Sequence, residues 1–190
     1  MIKGAGSEHA DQGNAVAQSA PGLMYLNGWG VSQDYAAAVA WYRKAVDQGD
    51  AHAQSNLGIM YSSGQGVSQD YAAAVAWYRK AADQGNAVAQ YNLGIMYKNG
   101  RGVPQDYAAA VAWYGKATDQ EHASAQNNLG IMYLGGQGVP QDYVLAYMWF
   151  NLAAAQSDAN AIKNRDIVGK KMTPTQIAEA QKLAREWKPK

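Results

Sequence analysis

The feature that most constrains this chain is a repeat of 36 residues. The segment A-x-A-Q-x-N-L-G-I-M-Y starts at Ala51, Ala87 and Ala123, and a diverged copy starts at Ala15. The second half of the unit recurs in the same register as QDYAAAVAWY or as QDYVLAYMWF. Segments 51–86 and 87–122 differ at only 10 of 36 positions. A period of this length is typical of a solenoid, in which each unit buries its apolar face against its neighbours.

Each unit is predicted to form two helices. A capping side chain precedes the first helix in four units and at the C-terminal half-unit, and these residues are Asn14, Asp50, Asn86, the less suitable His122, and Asp158. Gly64 and Gly100 are expected to end that helix, and Gly49 and Gly85 to end the second. In two repeats a proline is expected at the first position of the second helix, namely Pro104 and Pro140. In all four repeats an aspartate is expected in the first turn of that helix, namely Asp34, Asp70, Asp106 and Asp142.

Three ladders of identical residues bear on the packing. A glycine in the middle of the first helix costs about 1 kcal/mol relative to alanine, yet it recurs at Gly58, Gly94 and Gly130. We expect the partner helix to pass too close for a Cβ atom. Tryptophans recur at the same spacing, and we expect them in the core between repeats, with ligand binding as the alternative: Trp41, Trp77, Trp113 and Trp149. Asn56, Asn92 and Asn128 are expected to tie adjacent backbone or loops.

The pattern A-x-A-Q-x-N-L-G-x-M-Y…G-x-G-V-x-Q-D-Y-x-x-A…W-Y-x-K-A resembles the Sel-one-like repeat (SLR), a relative of the tetratricopeptide repeat. The resemblance implies an all-α fold, a right-handed α-α superhelix of antiparallel helix-turn-helix repeats. It also implies a bacterial adaptor or scaffold protein. Residues 9–14 align with the tail of a repeat, so residues 1–14 are predicted to be the remnant of a preceding repeat or an N-terminal tail. Four repeats then follow (15–50, 51–86, 87–122 and 123–158), and residues 159–190 form a half-repeat and a capping helix.

The ends of the array depart from the pattern. Pro21 lies inside the first helix, where proline costs about 3 kcal/mol, so we expect that helix to be kinked or partly unwound. The segment T-P-T-Q at 173–176 predicts a capping box. We expect the helix that follows, at about 174–187, to cover the last repeat with Ile177, Leu183 and Trp187. Trp29 replaces a glutamine at a loop tip, so weak end-to-end self-association is one alternative function.

Composition argues against several function classes. The formal net charge is +1, which does not favour nucleic acid, and the chain has no cysteine. No apolar run approaches the roughly 18 residues of a membrane span. Neither a signal peptide nor a catalytic or metal-binding motif is present, so we expect no catalytic residues, cofactor or metal, and a cytoplasmic protein unless an upstream signal is missing. A β-lactam hydrolase, an activity linked to cysteine-rich relatives, is the enzymatic alternative, but S-x-x-K is absent.

The remaining prediction concerns a partner. With the first alanine of each repeat counted as place one, places two, five, nine and twelve lie on one stripe of the first helix, and three of these four places differ between repeats 51–86 and 87–122. In tetratricopeptide repeats this stripe lines the concave groove. We therefore predict that a protein or peptide binds there, with Tyr91 and Lys98 as anchors, although neutral surface drift is the alternative. The predicted groove comprises His52, Ser55, Ile59, Ser62, Val88, Tyr91, Ile95, Lys98, Asn99, Asn127, Ile131 and Leu134.

Overall fold

The computed structural model describes residues 15–189, and side chains from residue 19 onward. Within that range the chain is all α-helical, without a strand, and consecutive helices pack as antiparallel hairpins of an α-solenoid. The predicted remnant at 1–14 and the cap Asn14 lie outside the described residues. The helices are α1 (Ala15–Asn27), α2 (Tyr35–Val46), α3 (Ala51–Ser63), α4 (Tyr71–Asp83), α5 (Ala87–Asn99), α6 (Tyr107–Thr118), α7 (Ala123–Gly135), α8 (Tyr143–Ala155), α9 (Ala159–Gly169) and α10 (Pro174–Glu186).

The described chain forms two compact units. The first unit comprises the residues up to Ala89 together with Arg101–Val103, and the second comprises Gln90–Gly100 and the residues from Pro104 onward. In the first unit, α1 packs on α2, α2 on α3, and α3 on α4. In the second unit, α6 packs on α7, α7 on α8, and α8 on both α9 and α10. Each unit has its own buried core between its hairpins.

The first helices of the second, third and fourth repeats, and α9, begin as the capping pattern predicts. The Asp50 carboxylate accepts from the backbone N–H groups of His52 and Ala53 at 2.8 and 2.9 Å. Asn86 and Asp158 accept in the same way at 2.9 Å. His122, expected to cap poorly, also caps, because its Nδ1 accepts from the Ala125 N–H at 3.3 Å.

The start of the second helix differs from the prediction. The aspartate before each second helix is an N-cap with extended backbone, not a residue of the first turn. Each accepts a backbone N–H three residues ahead at 2.9 to 3.0 Å. Pro104 and Pro140 therefore lie three residues before the first helical residue, in the loop. The sequence alone did not distinguish these positions, because proline and aspartate are both favoured near a helix start.

The loop between the two helices is held by glutamine side chains that the sequence analysis missed. In every repeat, a glutamine Nε2 donates to a carbonyl at the end of the first helix, seven residues earlier, at 2.8 Å. These residues are Gln33, Gln69, Gln105 and Gln141. The bond satisfies a carbonyl that has no partner within its own helix. The loop geometry is therefore the same in all four repeats.

A ladder of aromatic rings closes each hairpin. Tyr42, Tyr78, Tyr114 and Phe150 are fully buried, and each ring lies against the mid-helix glycine of the same repeat. A Cβ atom added at Gly58 would lie 2.5 Å from ring carbons of Tyr78. The predicted close approach is thus confirmed, but the group that excludes a Cβ is an aromatic ring of the second helix.

The tryptophan ladder is less buried than predicted. Trp41, Trp77, Trp113 and Trp149 are only partly buried, although Trp77 and Trp149 do pack against core clusters. The lysine three residues further along the helix lies over the ring in three repeats: Lys44, Lys80 and Lys116, at 4.2, 4.3 and 4.0 Å from the ring centroids. The tyrosine or phenylalanine one residue further along occupies the core position instead.

The ends of the array are helical. The α1 helix continues through Pro21, so the expected unwinding does not occur. Thr173 and Gln176 form the predicted capping box. The α10 helix ends at Glu186 and packs on α8, and the Trp187 ring meets the Trp149 ring edge-on at 5.7 Å. In α10, Ala180 and Ala184 are buried, whereas Ile177 and Leu183 are partly buried.

The ring-on-glycine contact predicts opposite effects for two glycines of the second unit. Gly94 faces the Tyr114 ring, whereas a Cβ at Gly115 in α6 would meet no atom within 4 Å. We expect Gly94→Ala to lower the free energy of unfolding by about 1–3 kcal/mol through overpacking. Gly115→Ala should raise it by up to about 1 kcal/mol through helix propensity. Urea denaturation of both variants measures this, and equal effects of the same sign would contradict the packing.

Candidate partner-binding face

The predicted groove residues of the first compact unit differ in exposure. His52 is exposed, and Val88 is 43% exposed. Ile59 is partly buried. Ser62 is partly buried as well, and its hydroxyl donates to the Ile59 carbonyl at 2.8 Å. In this unit the stripe is therefore open mainly at His52 and Val88, and a polar edge follows at Ser62.

In the second unit the stripe has more apolar area. Ile95 packs against the core cluster around Tyr114, and Ile131 and Leu134 pack against the cluster around Phe150. All three remain partly exposed, as does Lys98, and Asn99 is exposed. The structure thus gives this unit a partly open apolar surface with one cation beside it.

Place five of the stripe is not open surface, which corrects the prediction for two residues. Ser55 is 3% exposed and Asn127 is 7% exposed. The Asn127 side-chain oxygen accepts from the Asn164 amide of α9 at 2.9 Å, so it joins two first helices of the second unit. Neither residue is accessible to a partner, and the Ser55 hydroxyl is buried without a hydrogen-bond partner among the described residues. Sequence spacing identified the stripe but not the neighbouring helix that covers part of it.

Tyr91 occupies the same place five and is partly buried. Its ring stacks on the His122 imidazole, with centroids 4.8 Å apart and planes at 23°, and lies 6.1 Å from the Tyr114 ring. Burial raises the pKa of Tyr91 and lowers the pKa of His122. The tyrosine is therefore neutral near pH 7 and held in place by two rings, with part of its surface still available.

Place twelve determines whether the buried tyrosine hydroxyl has a partner. In the first unit, the Ser62 hydroxyl lies 3.2 Å from the Tyr78 hydroxyl, within hydrogen-bond distance. In the second unit, Lys98 takes this place, and the buried Tyr114 hydroxyl makes no hydrogen bond of ordinary length and angle with a described residue. Burial raises the pKa of Tyr114, and the nearby Asn128 side chain offsets only part of that rise. Leu134 occurs at place twelve where the ring is Phe150, which has no hydroxyl to satisfy. A serine at this place can therefore give the buried tyrosine hydroxyl a hydrogen-bond partner, which Lys98 does not.

A second set of glutamines fixes the two helices of each repeat and was also missed. The pairs Gln54–Gln84, Gln90–Gln120 and Gln126–Gln156 are joined by side-chain hydrogen bonds of 2.8, 2.8 and 3.0 Å. The first member of each pair is buried. The signal was present in the sequence, because glutamine recurs at places four and 34 of all four repeats. Asn56, Asn92 and Asn128, expected to make such ties, lie partly buried beside them.

Among residues 15–189, no helix is long and apolar enough to cross a lipid bilayer. No group of three or more histidine, aspartate or glutamate side chains in this range is arranged to hold a metal ion.

The sequence profile of the Sel1 repeat matches residues 15–50, 51–86, 87–122 and 123–158, with no gap between them. These boundaries are the predicted ones. The chain belongs to the Sel1 repeat family. Sel1 repeats typically provide protein-interaction scaffolds, and the fold is generally non-catalytic.

Solved Sel1 structures support this assignment. A protective antigen of uropathogenic Escherichia coli with an SLR fold is 37% identical, with a TM-score of 0.90 over 95% of this chain. The chain spans only 39% of that antigen's length. A Sel1 repeat protein from Oxalobacter formigenes is 32% identical, with a TM-score of 0.72, over 90% of this chain and 74% of its own. None of the curated proteins matches the sequence significantly.

The His122 cap predicts a pH dependence of stability. Because burial lowers the pKa of His122 in the folded state, its contribution is fully present above the unfolded pKa of 6.5 and is lost as the pH falls below that value. Protonation also removes the Nδ1 acceptor from the α7 cap. We expect wild type to lose about 0.5–1 kcal/mol relative to His122→Asn between pH 7 and pH 5, the size of a lost N-cap. Denaturant titrations of both proteins at both pH values measure this difference, because His52 and the other titratable groups are the same in wild type and variant. A constant difference would contradict the assignment.

Proposed function

We propose that this Sel1 repeat protein is a non-enzymatic scaffold that holds a segment of a partner protein against the first-helix stripe. The supporting observation is where the two most similar repeats differ. Four of their 10 differences lie in the first helix, and three of those four are at places two, five and twelve of the stripe. The buried apolar residues of the hairpin are the same in the two repeats, except that the buried Thr118 replaces Ala82. A stripe that varies over a nearly unchanged core is suited to recognition.

The binding surface is best defined in the second compact unit. Ile95 and Ile131 supply partly exposed apolar area, and Tyr91 is an aromatic side chain whose orientation is already fixed by stacking. Aromatic anchors of this kind dominate interface energies, because little side-chain entropy is lost on binding. Lys98, seven residues after Tyr91 on the same helix, is placed to meet a carboxylate. The surface fits a helical or extended segment with apolar anchors and an acidic residue.

The enzymatic alternative has less support. Burial raises the pKa of Tyr42 and Tyr78 to about 12, so these hydroxyls stay protonated near neutral pH and are poor bases. His122, whose pKa is lowered by burial, uses its Nδ1 to cap α7. The polar residues most deeply buried in the described repeats thus serve the packing, as is usual for buried polar groups.

Lys98→Ser separates the binding role from the structural one. Serine at this place can pair with the Tyr114 hydroxyl as Ser62 pairs with Tyr78. We expect the variant to gain up to about 1 kcal/mol in free energy of unfolding, because a buried hydroxyl acquires a partner. The same change should weaken binding of a partner isolated from the native source about tenfold, as loss of a charged contact at an interface does. Urea denaturation and isothermal titration calorimetry measure the two effects.

Lys182→Ser on α10 is the matched control, because that lysine is exposed and lies off the stripe. It should alter neither quantity. Tyr91→Ser, which introduces the residue found at this place in the first two repeats, should abolish detectable binding while costing some stability. Its affinity is therefore measured well below its unfolding temperature. If Lys98→Ser and Tyr91→Ser both bind the partner as wild type does, the stripe is not the binding site.

A further inference from the structure

The ninth residue of the second helix can join one repeat to the next. In the first repeat this residue is Arg43 of α2, whose Nη2 donates to the hydroxyl of Tyr61 in α3 at 3.1 Å. The second repeat also has an arginine at this place, Arg79. The third repeat has Gly115 there, and Tyr133 of α7 takes the place of Tyr61. A glycine cannot supply the donor that Arg43 supplies, so this link is missing between α6 and α7.

Gly115 leaves an open space on the surface of α6. A Cβ atom added there would have no neighbouring atom within 4 Å, and the residue is partly exposed, so the space opens to solvent. The Tyr133 ring packs against two buried clusters, which fix its position. By equivalence with the first repeat, the Tyr133 hydroxyl lies where an arginine side chain that occupied this space would reach it.

A valine of α6 is uncovered by the same change. Val39 and Val75, four residues before the arginines of the first two repeats, are 4% and 3% exposed. Val111, four residues before Gly115, is only partly buried, although it packs against the core cluster around Tyr114. Side chains four residues apart on a helix are neighbours, and the methylene stem of an arginine covers apolar surface. The absence of that stem leaves Val111 as an apolar floor to the open space.

A carboxylate lies at the other end of the space. Asp119 follows four residues after Gly115, at the end of α6, and is partly buried. It forms no ion pair with a residue of the described range. The neighbouring cation, Lys116, is directed elsewhere, because its Nζ lies over the Trp113 ring at 4.0 Å from the centroid. We call this surface the Gly115 notch, and it is formed by Val111, Gly115, Asp119 and Tyr133.

We propose that the Gly115 notch binds an arginine side chain of a partner protein, in the place that Arg43 fills from within the chain in the first repeat. The stem packs on Val111, and the guanidinium donates to the Tyr133 hydroxyl with Asp119 as its counter-charge. Arginine fits better than lysine, because its planar group carries five donors and can contact the hydroxyl and the carboxylate together. The notch shares no residue with the proposed partner-binding stripe, so this proposal does not rest on that one.

Nuclear magnetic resonance of the full isotope-labelled chain tests the proposal, with Nα-acetyl-L-arginine N-methylamide as the probe. Saturable amide shifts are expected at Val111, Gly115 and Tyr133. Tyr61 should not shift, because Arg43 already fills the equivalent space, and the first repeat is therefore an internal control. The citrulline derivative has nearly the same shape without the charge, and its dissociation constant should be at least about tenfold higher. Shifts of equal size at both places, or none at the notch, overturn the proposal.

Reciprocal substitutions give the sharpest test. Gly115→Arg fills the notch from within the chain and should abolish the shift of Tyr133 that the probe causes. Arg43→Gly opens the equivalent space in the first repeat and should add a second saturable shift, at Tyr61. Tyr133→Phe removes the acceptor and should raise the dissociation constant about fivefold.

Thermal denaturation checks that each variant is folded, and if Arg43→Gly is not, Gly115→Arg and Tyr133→Phe still decide. A Gly115→Arg variant that binds the probe like wild type overturns the proposal, as does a Tyr133→Phe variant with unchanged affinity.

The choice of probe also separates a partner protein from a free small molecule. Free L-arginine carries an amino group and a carboxylate that a residue within a protein chain lacks. If the notch receives only the side chain, free L-arginine should bind no more tightly than the blocked derivative. Binding of the free amino acid that is about tenfold tighter, a difference of about 1.4 kcal/mol, assigns the notch to a small molecule and overturns the proposed partner.

Discussion

The seating of an aromatic ring on a glycine is the contact on which each repeat depends. The glycine of the first helix has no side chain, and a ring from the second helix occupies the space that a Cβ atom would need. The two helices therefore approach more closely than a Cβ would allow. Close approach in turn requires small neighbours, and the buried positions around the rings are mostly alanines. Dense packing of this kind tolerates little added volume. The alanine-rich composition is therefore a consequence of where the rings lie.

The contact between repeats also depends on a glycine, but this glycine lies against backbone atoms and not against a ring. In the second, third and fourth repeats, the second glycine of the loop permits the start of the preceding repeat's second helix to approach, and glutamine side chains hold the loop in the shape that this requires. Glycine thus acts at both levels of the array, once within the hairpin and once between hairpins. Because these are requirements on distance, the pattern is kept from repeat to repeat while solvent-facing residues change.

The 36-residue period was enough to predict the fold class, the repeat boundaries and the positions of most caps, because all of these follow from local sequence. Side-chain roles that depend on a neighbouring helix were harder to predict. Trp77 was expected in the core between repeats, but it is partly buried, and the adjacent Tyr78 is the fully buried ring. Ser55 and Asn127 share a stripe with exposed residues, but the packing of the helices covers them. Spacing along one helix does not contain that information.

The third repeat contains several residues that do not favour its own stability. Lys98 leaves the Tyr114 hydroxyl buried without a partner, a shortcoming that the first repeat shares at Tyr42. Glu121 adopts φ of 58° where the two earlier repeats have glycine, and a non-glycine residue there costs roughly 1–2 kcal/mol. His122 caps a helix only while it is neutral. Residues that depart from the local structural preferences of a sequence tend to occur where function requires them. Tyr91 stacks on His122 in this same repeat, so the sites of local instability and the most prominent feature of the proposed binding face coincide.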